Sequence, residues 1–450
     1  MDRARKSAAA TMKLAWPTMI ARAGILVMLS TDTVMVGHIG QTELAHLGIS
    51  YPVIGFLMMT SIGFMQGVMV LTSQAFGARE YNFCGEIWRV GLIIAAVLGL
   101  IIVAISSVGT EVLLALGQTS EMATGGGAVI AQYGWGMPAM LLYIICGNVL
   151  EGLQRPRIGM TIMWSAVVLN LGLNTLFIYQ FGWGAEGAAA ATSVVRWIAF
   201  ATIFSYIAFL MHDRLQFGIR LARDISREAV LEAWRYAKRI LKLGTPMALQ
   251  MTLESAAFST MSLTAGRLGE APLAAHTVTL QLMSLILMLA IGMSAATAVR
   301  VGFAVGSADR TGVVWAGWTG PVLITVLIAP ISLIMILFPQ QAGSIFTTAP
   351  ETLALVKVTI AIAGLALIFD SWMAVMLGAL RGTGDVWVPL GLVSSAMWVV
   401  MVPVGLYAAL SLQLGVAGLY WGICAGISAA SLLAAIRFYF VSRREIVRIV

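Results

Sequence analysis

Charged side chains are scarce in this sequence of 450 residues. Only 10% of the residues are Asp, Glu, Lys or Arg, whereas 60% are hydrophobic. Soluble domains carry about 25% charged residues, so this composition excludes an ordinary water-soluble globular protein. Runs of about 20 apolar residues recur along the chain, and each is long enough to cross a bilayer as a helix. Because these runs do not alternate in polarity, they also argue against a membrane β-barrel.

Cysteine and histidine are equally sparse. The three cysteines, Cys84, Cys146 and Cys424, are far apart in the sequence, and the four histidines are dispersed as well. This spacing favours neither a disulfide framework nor a metal cluster. The net charge of +7 does not indicate a nucleic-acid partner, because the basic residues stand at predicted helix ends without interleaved aromatic residues. No phosphate-binding loop of the Gly-Lys-Ser/Thr type is found, so ATP is not expected as the energy source.

One stretch of the chain is present twice. Residues 13–77 align without a gap on residues 242–306, which lie 229 positions later, with 15 identities in 65 positions. Glycines and a proline are among the matches, and these residue types mark backbone geometry more than composition. The sequence therefore predicts an internal duplication, an organisation that is common in secondary transporters.

Hydropathy predicts twelve membrane-spanning helices. Six predicted spans separate the two copies, so both copies enter the membrane from the same side. We therefore expect an all-α membrane protein of two six-helix bundles related by a pseudo-two-fold axis along the membrane normal. The expected organisation is an amino-terminal lobe (1–210), a cytoplasmic amphipathic linker (211–241) and a carboxyl-terminal lobe (242–450). The predicted spans cover residues 14–36, 45–72, 88–108, 129–150, 158–181, 187–210, 242–265, 273–299, 313–338, 352–379, 387–410 and 415–439.

Lys and Arg are distributed unevenly between the two sides of the predicted membrane domain. If the amino terminus is cytoplasmic, the cytoplasmic segments hold 23 of the 27 basic residues. Such an excess sets the orientation of multi-pass proteins. The sequence therefore predicts a multi-pass protein of the cytoplasmic (inner) membrane with both termini in the cytoplasm.

Three acidic residues fall inside predicted spans, where an ionisable side chain is costly and needs a reason. Asp32 lies late in the first span, and Glu254 and Asp370 lie near the middle of the seventh and tenth. Each carboxylate can accept a proton or bind a small cation. It could therefore take up this ion on one side of the membrane and release it on the other. The alternative is a structural ion pair with Arg22 or Arg196, the two basic residues within spans.

Polar uncharged residues accompany these acids. Asn170 and Asn174 are four positions apart and so share one helix face, and Thr192 on the next span could join them. Gln281 is a further polar residue within the eighth span. These side chains could be helix–helix contacts or a polar cavity that holds Asp32 and tunes its proton affinity.

Three motifs together resemble a known family. They are Ser-Thr-Asp-Thr-Val-Met-Val-Gly-His-Ile-Gly at 30–40, Ala-Val-Arg-Val-Gly at 298–302 and Gly-Ala-Leu-Arg-Gly-Thr-Gly-Asp at 378–385. The sequence is similar in these motifs to multidrug and toxic compound extrusion (MATE) transporters of the bacterial NorM-like branch. The resemblance covers the whole chain. It implies twelve helices in two bundles and export of cationic, often aromatic compounds in exchange for sodium ions or protons.

The resemblance also implies roles for individual residues. Asp32, with Asn170, Asn174 and Thr192, matches the polar site of the amino-terminal lobe. Glu254 and Asp370 match the carboxylates of the carboxyl-terminal cation site, where a sodium ion can bind. Related sequences can carry a tyrosine one turn before the position of Asp370, whereas this chain has Ala366 there.

These observations predict a secondary antiporter and not an enzyme. Expected partners are small, cationic, aromatic molecules and membrane lipid. The expected state is a monomer without a cofactor other than the coupling sodium ion or proton. Three alternatives remain. A flippase for lipid-linked saccharides would favour a basic cavity, an intramembrane enzyme would need a metal cluster or a nucleophile–base pair, and a channel would need a filter-like segment.

Overall fold

The computed structural model describes residues 2–219, 227–347, 349–445 and 448–449. Within these residues it is helical, without strands, and has twelve long helices, which confirms the predicted fold class. Two short helices, Gly109–Ala115 and Pro339–Ser344, join long ones. The long helices are α1 (Asp2–Gly37), α2 (Gln41–Ala78), α3 (Tyr81–Ser107), α4 (Ser120–Gly152), α5 (Pro156–Gln180), α6 (Gly184–Leu210), α7 (Arg227–Arg267), α8 (Glu270–Gly306), α9 (Arg310–Leu337), α10 (Pro350–Thr383), α11 (Trp387–Ser411) and α12 (Gly415–Val441).

In the described part of the chain, eleven of these helices are long and apolar enough to cross a membrane. The remaining helix, α7, begins at Arg227, well before residue 242, where the apolar run of the seventh predicted span starts. Its first turns carry many charges, and its segment within the seventh predicted span is interrupted by polar residues such as Gln250 and Glu254. Residues 220–226 of the predicted linker lie outside the described residues.

Several helices extend beyond the spans that hydropathy predicts. Helix α1 begins at Asp2, and α2 begins at Gln41, directly after Gly40. Helix α2 continues to Ala78 and ends where Arg79 adopts a left-handed conformation with φ of 61°. These end turns are polar, so a hydropathy window does not detect them, although their backbone hydrogen bonds continue the helix.

The chain forms two compact units. The amino-terminal unit comprises Ile20–Ala248 with Ile449–Val450, and the carboxyl-terminal unit comprises Met1–Met19 with Leu249–Arg448. The unit boundaries fall inside α1 and α7, at positions that are 229 residues apart, which is the spacing of the sequence repeat. The division of the chain into lobes at 1–210 and 242–450 stays a prediction.

The duplication is visible in hydrogen bonds within each unit. In the amino-terminal unit, the indole Nε1 of Trp164 in α5 donates to the carbonyl of Ile20 in α1 at 3.1 Å. In the carboxyl-terminal unit, Nε1 of Trp398 in α11 donates to the carbonyl of Leu253 in α7 at 3.2 Å. The fifth helix of each repeat is thus joined to the first helix of that repeat in the same way.

Small residues let helices approach closely in both units. Gly422 of α12 lies against the backbone of Gly405 in α11, and Gly99 of α3 lies against Pro138 in α4. Such contacts replace the hydrophobic driving force, which is weak between helices in lipid. Larger apolar side chains fill the interior of each unit, around Ile130 and Tyr133 in one unit and around Phe438 in the other.

Candidate functional site

Asp32 is the centre of a buried hydrogen-bonded cluster in the amino-terminal unit. Its side chain comes from α1 and is only 1% exposed. Oδ1 accepts a hydrogen bond of 2.7 Å from Nδ2 of Asn174. Oδ2 accepts one of 2.7 Å from the hydroxyl of Thr192 and one of 3.1 Å from the hydroxyl of Tyr133. Three donors from three different helices, α4, α5 and α6, therefore converge on one carboxylate.

A second layer of hydrogen bonds orients these donors. Asn170 donates to the Thr192 hydroxyl at 3.0 Å, so that the Thr192 proton is directed at Asp32. Asn174 also donates to Oδ1 of Asn170 at 3.2 Å, which uses its second amide hydrogen. The network thus runs in one direction and ends on the carboxylate, an arrangement that favours an ionised acceptor.

The cluster leaves acceptor capacity unused. A carboxylate offers about four lone-pair positions, and the described residues fill three of them on Asp32. The side-chain oxygen of Asn174 is buried and has no hydrogen-bond partner among the described residues. Unpaired buried acceptors are costly, so these oxygens are available to a proton, a water molecule or a small cation.

The local backbone explains why the two asparagines meet Asp32. Asn170 and Asn174 are one turn apart in the α-helical part of α5 and both are fully buried. Directly after Asn174 the helix widens into a π-helical segment, Thr175–Gln180. Such insertions are frequent at functional sites, and this one marks the end of the polar face of α5.

The cluster continues towards α2 through aromatic residues. The hydroxyl of Thr33 lies 3.0 Å from the carbonyl of Leu29 and 3.1 Å from the hydroxyl of Tyr51, with which it shares a hydrogen bond. The ring of Tyr51 is 6.3 Å from the ring of Tyr133. Tyr133 and Tyr51 were not predicted as site residues, because tyrosine in an apolar run gives no signal that distinguishes it from packing.

Neither intramembrane arginine forms an ion pair with Asp32. Arg22 instead lies 3.6 Å from Glu151. The guanidinium of Arg196 lies 5.5 Å from the ring centre of Tyr133, and its Nη1 is 3.7 Å from the sulfur of Met137. Arg196 interacts with Asp32 electrostatically, but no ion pair within 4 Å joins them in the described residues. The predicted alternative of a direct structural ion pair is therefore not the arrangement at Asp32.

Glu254 and Asp370 belong to the carboxyl-terminal unit. Asp370 of α10 is 4% exposed, and Glu254 of α7 is half-buried. The two carboxyl groups are close enough to interact electrostatically, and Glu254 also interacts with Arg381 of α10. Sequence distance gave no indication of this arginine, because Arg381 and Glu254 are far apart in the chain.

Unlike Asp32, this carboxylate pair is not held by hydrogen bonds among the described residues. In the described part of the chain, no hydrogen bond to Glu254 or Asp370 is formed. Ser371 next to Asp370 has a buried hydroxyl without a partner. Ala366, one turn before Asp370, is fully buried and offers only a methyl group. The described residues contain no group of three or more His, Cys, Asp and Glu side chains that could hold a metal ion together.

Gln281 is not part of the Asp32 cluster. It lies on an exposed face of α8 in the carboxyl-terminal unit and makes no hydrogen bond with the described residues. Its contribution to a polar cavity stays a prediction.

A second buried polar cluster, in the carboxyl-terminal unit, was not predicted. Nε2 of His276 lies 2.9 Å from the hydroxyl of Ser262, which itself donates to the carbonyl of Phe258 at 3.2 Å. Nδ1 of His276 is buried and has no hydrogen-bond partner among the described residues. Tyr420 donates to the carbonyl of His276 at 3.1 Å. Ser262 matches Thr33 in the repeat alignment, which is the signal that could have indicated this cluster.

Comparison with known proteins agrees with this architecture. The MatE family profile matches residues 17–176 and 246–407. A protein of Caulobacter vibrioides named "Probable multidrug resistance protein NorM" is 30% identical over 443 residues, covering 96% of this chain and 92% of that protein. The protein of the same name from Bradyrhizobium diazoefficiens is 28% identical, covering 96% and 93%.

Solved structures have the same fold. The crystal structure of the eukaryotic MATE transporter AtDTX14 has a TM-score of 0.89 at 18% identity, covering 99% of this chain and 100% of that one. An outward-facing multidrug resistance MATE family transporter of the MOP superfamily has a TM-score of 0.88 at 21% identity, covering 97% of both chains. With the family profile matched in both halves and a relative 30% identical over nearly its whole length, this chain belongs to the MatE family of transporters.

Proposed function

We propose that this protein is a secondary active antiporter that exports drug-like organic cations in exchange for sodium ions or protons, by alternating access. The relatives at 28–30% identity carry the name of a multidrug resistance protein, which supports the substrate class. The proposal rests chiefly on Asp32, a buried carboxylate with three converging donors, unused acceptor capacity and no direct ion pair among the described residues. Asp32, Glu254 and Asp370 are the proposed coupling residues, with Asn170, Asn174, Thr192 and Gln281 as supporting polar residues.

The Asp32 cluster suggests how ion binding can change conformation. When the carboxylate is ionised, Thr192, Tyr133 and Asn174 can all donate to it. When it is protonated at the unused position, it becomes a donor itself, and the hydrogen bonds that it accepts become weaker because they no longer end on a charged group. The two forms therefore favour different arrangements of α4, α5 and α6 around α1. A ligand shifts a conformational equilibrium only through such a difference.

In the carboxyl-terminal unit, the proposed coupling site is the pair of Glu254 and Asp370. Two carboxylates in electrostatic contact repel each other when both are ionised. A bound sodium ion or proton would remove that repulsion, and release of the ion would restore it. The interaction of Arg381 with Glu254 offsets part of the negative charge, so one monovalent cation suffices to neutralise the group.

The uneven distribution of Lys and Arg supports insertion in the cytoplasmic membrane with both termini in the cytoplasm. We further propose that the functional unit is a monomer, because the repeat supplies both lobes from one chain. Substrates would reach the transporter from the cytoplasm or from the surrounding lipid.

Efflux from proteoliposomes tests this proposal. The rate of transport of a lipophilic cationic dye is measured under an imposed sodium gradient or proton gradient. The parent chain is compared with Asp32→Asn, Glu254→Gln and Asp370→Asn. We expect each substitution to lower gradient-driven efflux by about tenfold or more, because each removes a charge that the coupling step needs. Glu121→Gln, at an exposed position in the first turn of α4, is the matched control and should transport like the parent.

Size-exclusion profiles and thermal unfolding of the same preparations separate lost coupling from lost folding. If all three variants are folded and transport like the parent under both gradients, the coupling residues are assigned wrongly. If the parent shows no gradient-driven efflux of any cationic dye, the proposed activity itself is wrong.

A further inference from the structure

Arg22 of α1 and Glu151 of α4 form an ion pair inside the amino-terminal unit, away from the Asp32 cluster. Nη2 of Arg22 lies 3.6 Å from Oε1 of Glu151, and the side chains are 22% and 15% exposed. Arg22 is ten residues before Asp32 on the same helix, which corresponds to about 15 Å along the helix axis. The mechanism proposed above does not use this pair.

The pair is incompletely hydrogen-bonded. Guanidinium and carboxylate groups can form two parallel, short hydrogen bonds, whereas here they make one long contact. Oε2 of Glu151 and Nε of Arg22 are both buried and have no hydrogen-bond partner among the described residues. One carboxylate oxygen therefore remains as a strong acceptor in poorly hydrated surroundings, and its present partner is held only loosely.

The surroundings favour a large cation over a small one. Tyr143, two turns before Glu151 on α4, interacts electrostatically with both members of the pair. The Trp164 side chain reaches the carbonyl of Ile20, two residues before Arg22. Divalent cations such as calcium take six to eight oxygen ligands, and the described residues provide no group of acidic or metal-binding side chains here that could hold such an ion. A single carboxylate with the aromatic side chain of Tyr143 within electrostatic range suits a lipophilic organic cation, which needs little coordination.

The other repeat has a related pair with the charges exchanged. Glu254 on α7 lies three positions after Met251, which matches Arg22, and Arg381 on α10 lies three positions after Gly378, which matches Glu151. Glu254 and Arg381 interact electrostatically. The match of Glu151 to Gly378 follows from the likeness of Leu-Glu-Gly-Leu at 150–153 to Leu-Gly-Ala-Leu at 377–380. The first and fourth helices of each repeat thus carry an Arg and a Glu within one turn of equivalent positions. Glu254 is also one of the proposed coupling carboxylates.

We propose that Glu151 is a recognition site for lipophilic organic cations in the amino-terminal unit, and that Arg22 is the resident cation that the substrate displaces. This inference rests on the proposed function for its substrate class. It assigns opposite effects to the two residues. Glu151 contributes affinity for the substrate, whereas Arg22 competes with it.

Equilibrium binding of tetraphenylphosphonium to the purified full-length chain in lipid nanodiscs tests this prediction without any ion gradient. We expect Glu151→Gln to raise the Kd by about tenfold, which corresponds to about 1.4 kcal/mol. We expect Arg22→Met to lower the Kd by about threefold or more, because the competing charge is removed. A purely structural ion pair would not give shifts of opposite sign.

Glu86→Gln is the matched control, because Glu86 pairs with Arg89 in the same unit at nearly the same exposure of 19% and 21%. It should leave the Kd unchanged. If Glu151→Gln is unstable, the double variant Arg22→Met/Glu151→Gln removes both charges and should still bind about tenfold more weakly than the parent. An unchanged Kd in both single variants, shifts of equal sign, or a change in sodium binding alone would overturn the proposal. If Asp32→Asn loses efflux but still binds tetraphenylphosphonium, that result bears on the proposed coupling residues and not on the proposed site at Glu151.

Discussion

Gly63 of α2 lies directly against the backbone of Ala248 in α7. A Cβ atom added at Gly63 would be 2.5 Å from the Cα atom of Ala248 and 2.7 Å from its backbone nitrogen. The same relationship recurs 229 residues away for both partners. A Cβ atom at Gly292 of α8 would be 2.7 Å from both the Cα atom and the nitrogen of Met19 in α1. The second helix of each repeat therefore packs on the leading segment of the other repeat's first helix.

Gly63→Ala should be destabilising, because the atoms that the new methyl group meets belong to backbone and cannot rotate away. Overpacking of this kind costs about 1–3 kcal/mol. We expect a lower thermal unfolding temperature for the purified protein in detergent. Gly55→Ala in the same helix is the control. A Cβ atom there meets no described atom within 4 Å, and alanine is a better helix former than glycine by about 1 kcal/mol. Equal unfolding temperatures for the two variants would contradict the packing described at Gly63.

Much of this architecture could be predicted from the sequence because its causes are local or periodic. Continuous apolar runs predicted twelve helices, and the four-residue spacing of Asn170 and Asn174 predicted that they share one helix face. The glycines of the repeat gave the duplication. The packing of residues before Ile20 with the second half of the chain could not be predicted, because a hydropathy pattern does not indicate which helix contacts which.

The composition of the Asp32 cluster was only partly predictable for the same reason. Asp32 and the asparagines are unusual inside apolar spans, so their presence is informative. Tyr133, which donates to Asp32, is not unusual in an apolar span, and the spacing of a single histidine such as His276 does not indicate that its Nε2 lies 2.9 Å from the Ser262 hydroxyl. Their importance follows from distances between helices, which depend on tertiary packing and not on spacing along the chain.

Thr192→Val should lower gradient-driven efflux by about tenfold, since a hydrogen bond to a charged group contributes about 1.5–3 kcal/mol. Valine keeps the shape of threonine but removes the hydroxyl that donates to Asp32 at 2.7 Å and accepts from Asn170. Thr202→Val is the control on the same helix, because that hydroxyl is exposed and donates only to the carbonyl of Ile198. Dye efflux from proteoliposomes measures both. Equal effects of the two substitutions would mean that the bond to Asp32 does not matter for coupling.

Tyr133→Phe should have a smaller effect in the same assay, about three- to fivefold, because its hydrogen bond to Asp32 is longer at 3.1 Å. The phenylalanine ring retains the packing against Tyr51. Tyr179→Phe provides the comparison, since Tyr179 is exposed and donates to the carbonyl of Met35 at 2.9 Å. We expect the order Thr192→Val, Tyr133→Phe, Tyr179→Phe from the largest loss to none. A loss in Tyr179→Phe as large as in Tyr133→Phe would indicate a general effect on helix packing.

His276 allows a test of whether the second polar cluster contributes through hydrogen bonding or through packing. Its ring is buried and lies edge-on to Tyr420, with the ring centres 5.5 Å apart. His276→Phe keeps a ring and removes Nδ1, which is buried and has no partner among the described residues. Because an unpaired buried polar atom is costly, its removal partly offsets the loss of the bond to Ser262. His276→Ala leaves a cavity, which costs about 2 kcal/mol or more. We therefore expect His276→Ala to unfold at a clearly lower temperature than His276→Phe in the same detergent. If His276→Phe is the less stable of the two, Nδ1 has a partner that stabilises the folded state, and the cluster holds a ligand or water molecule there.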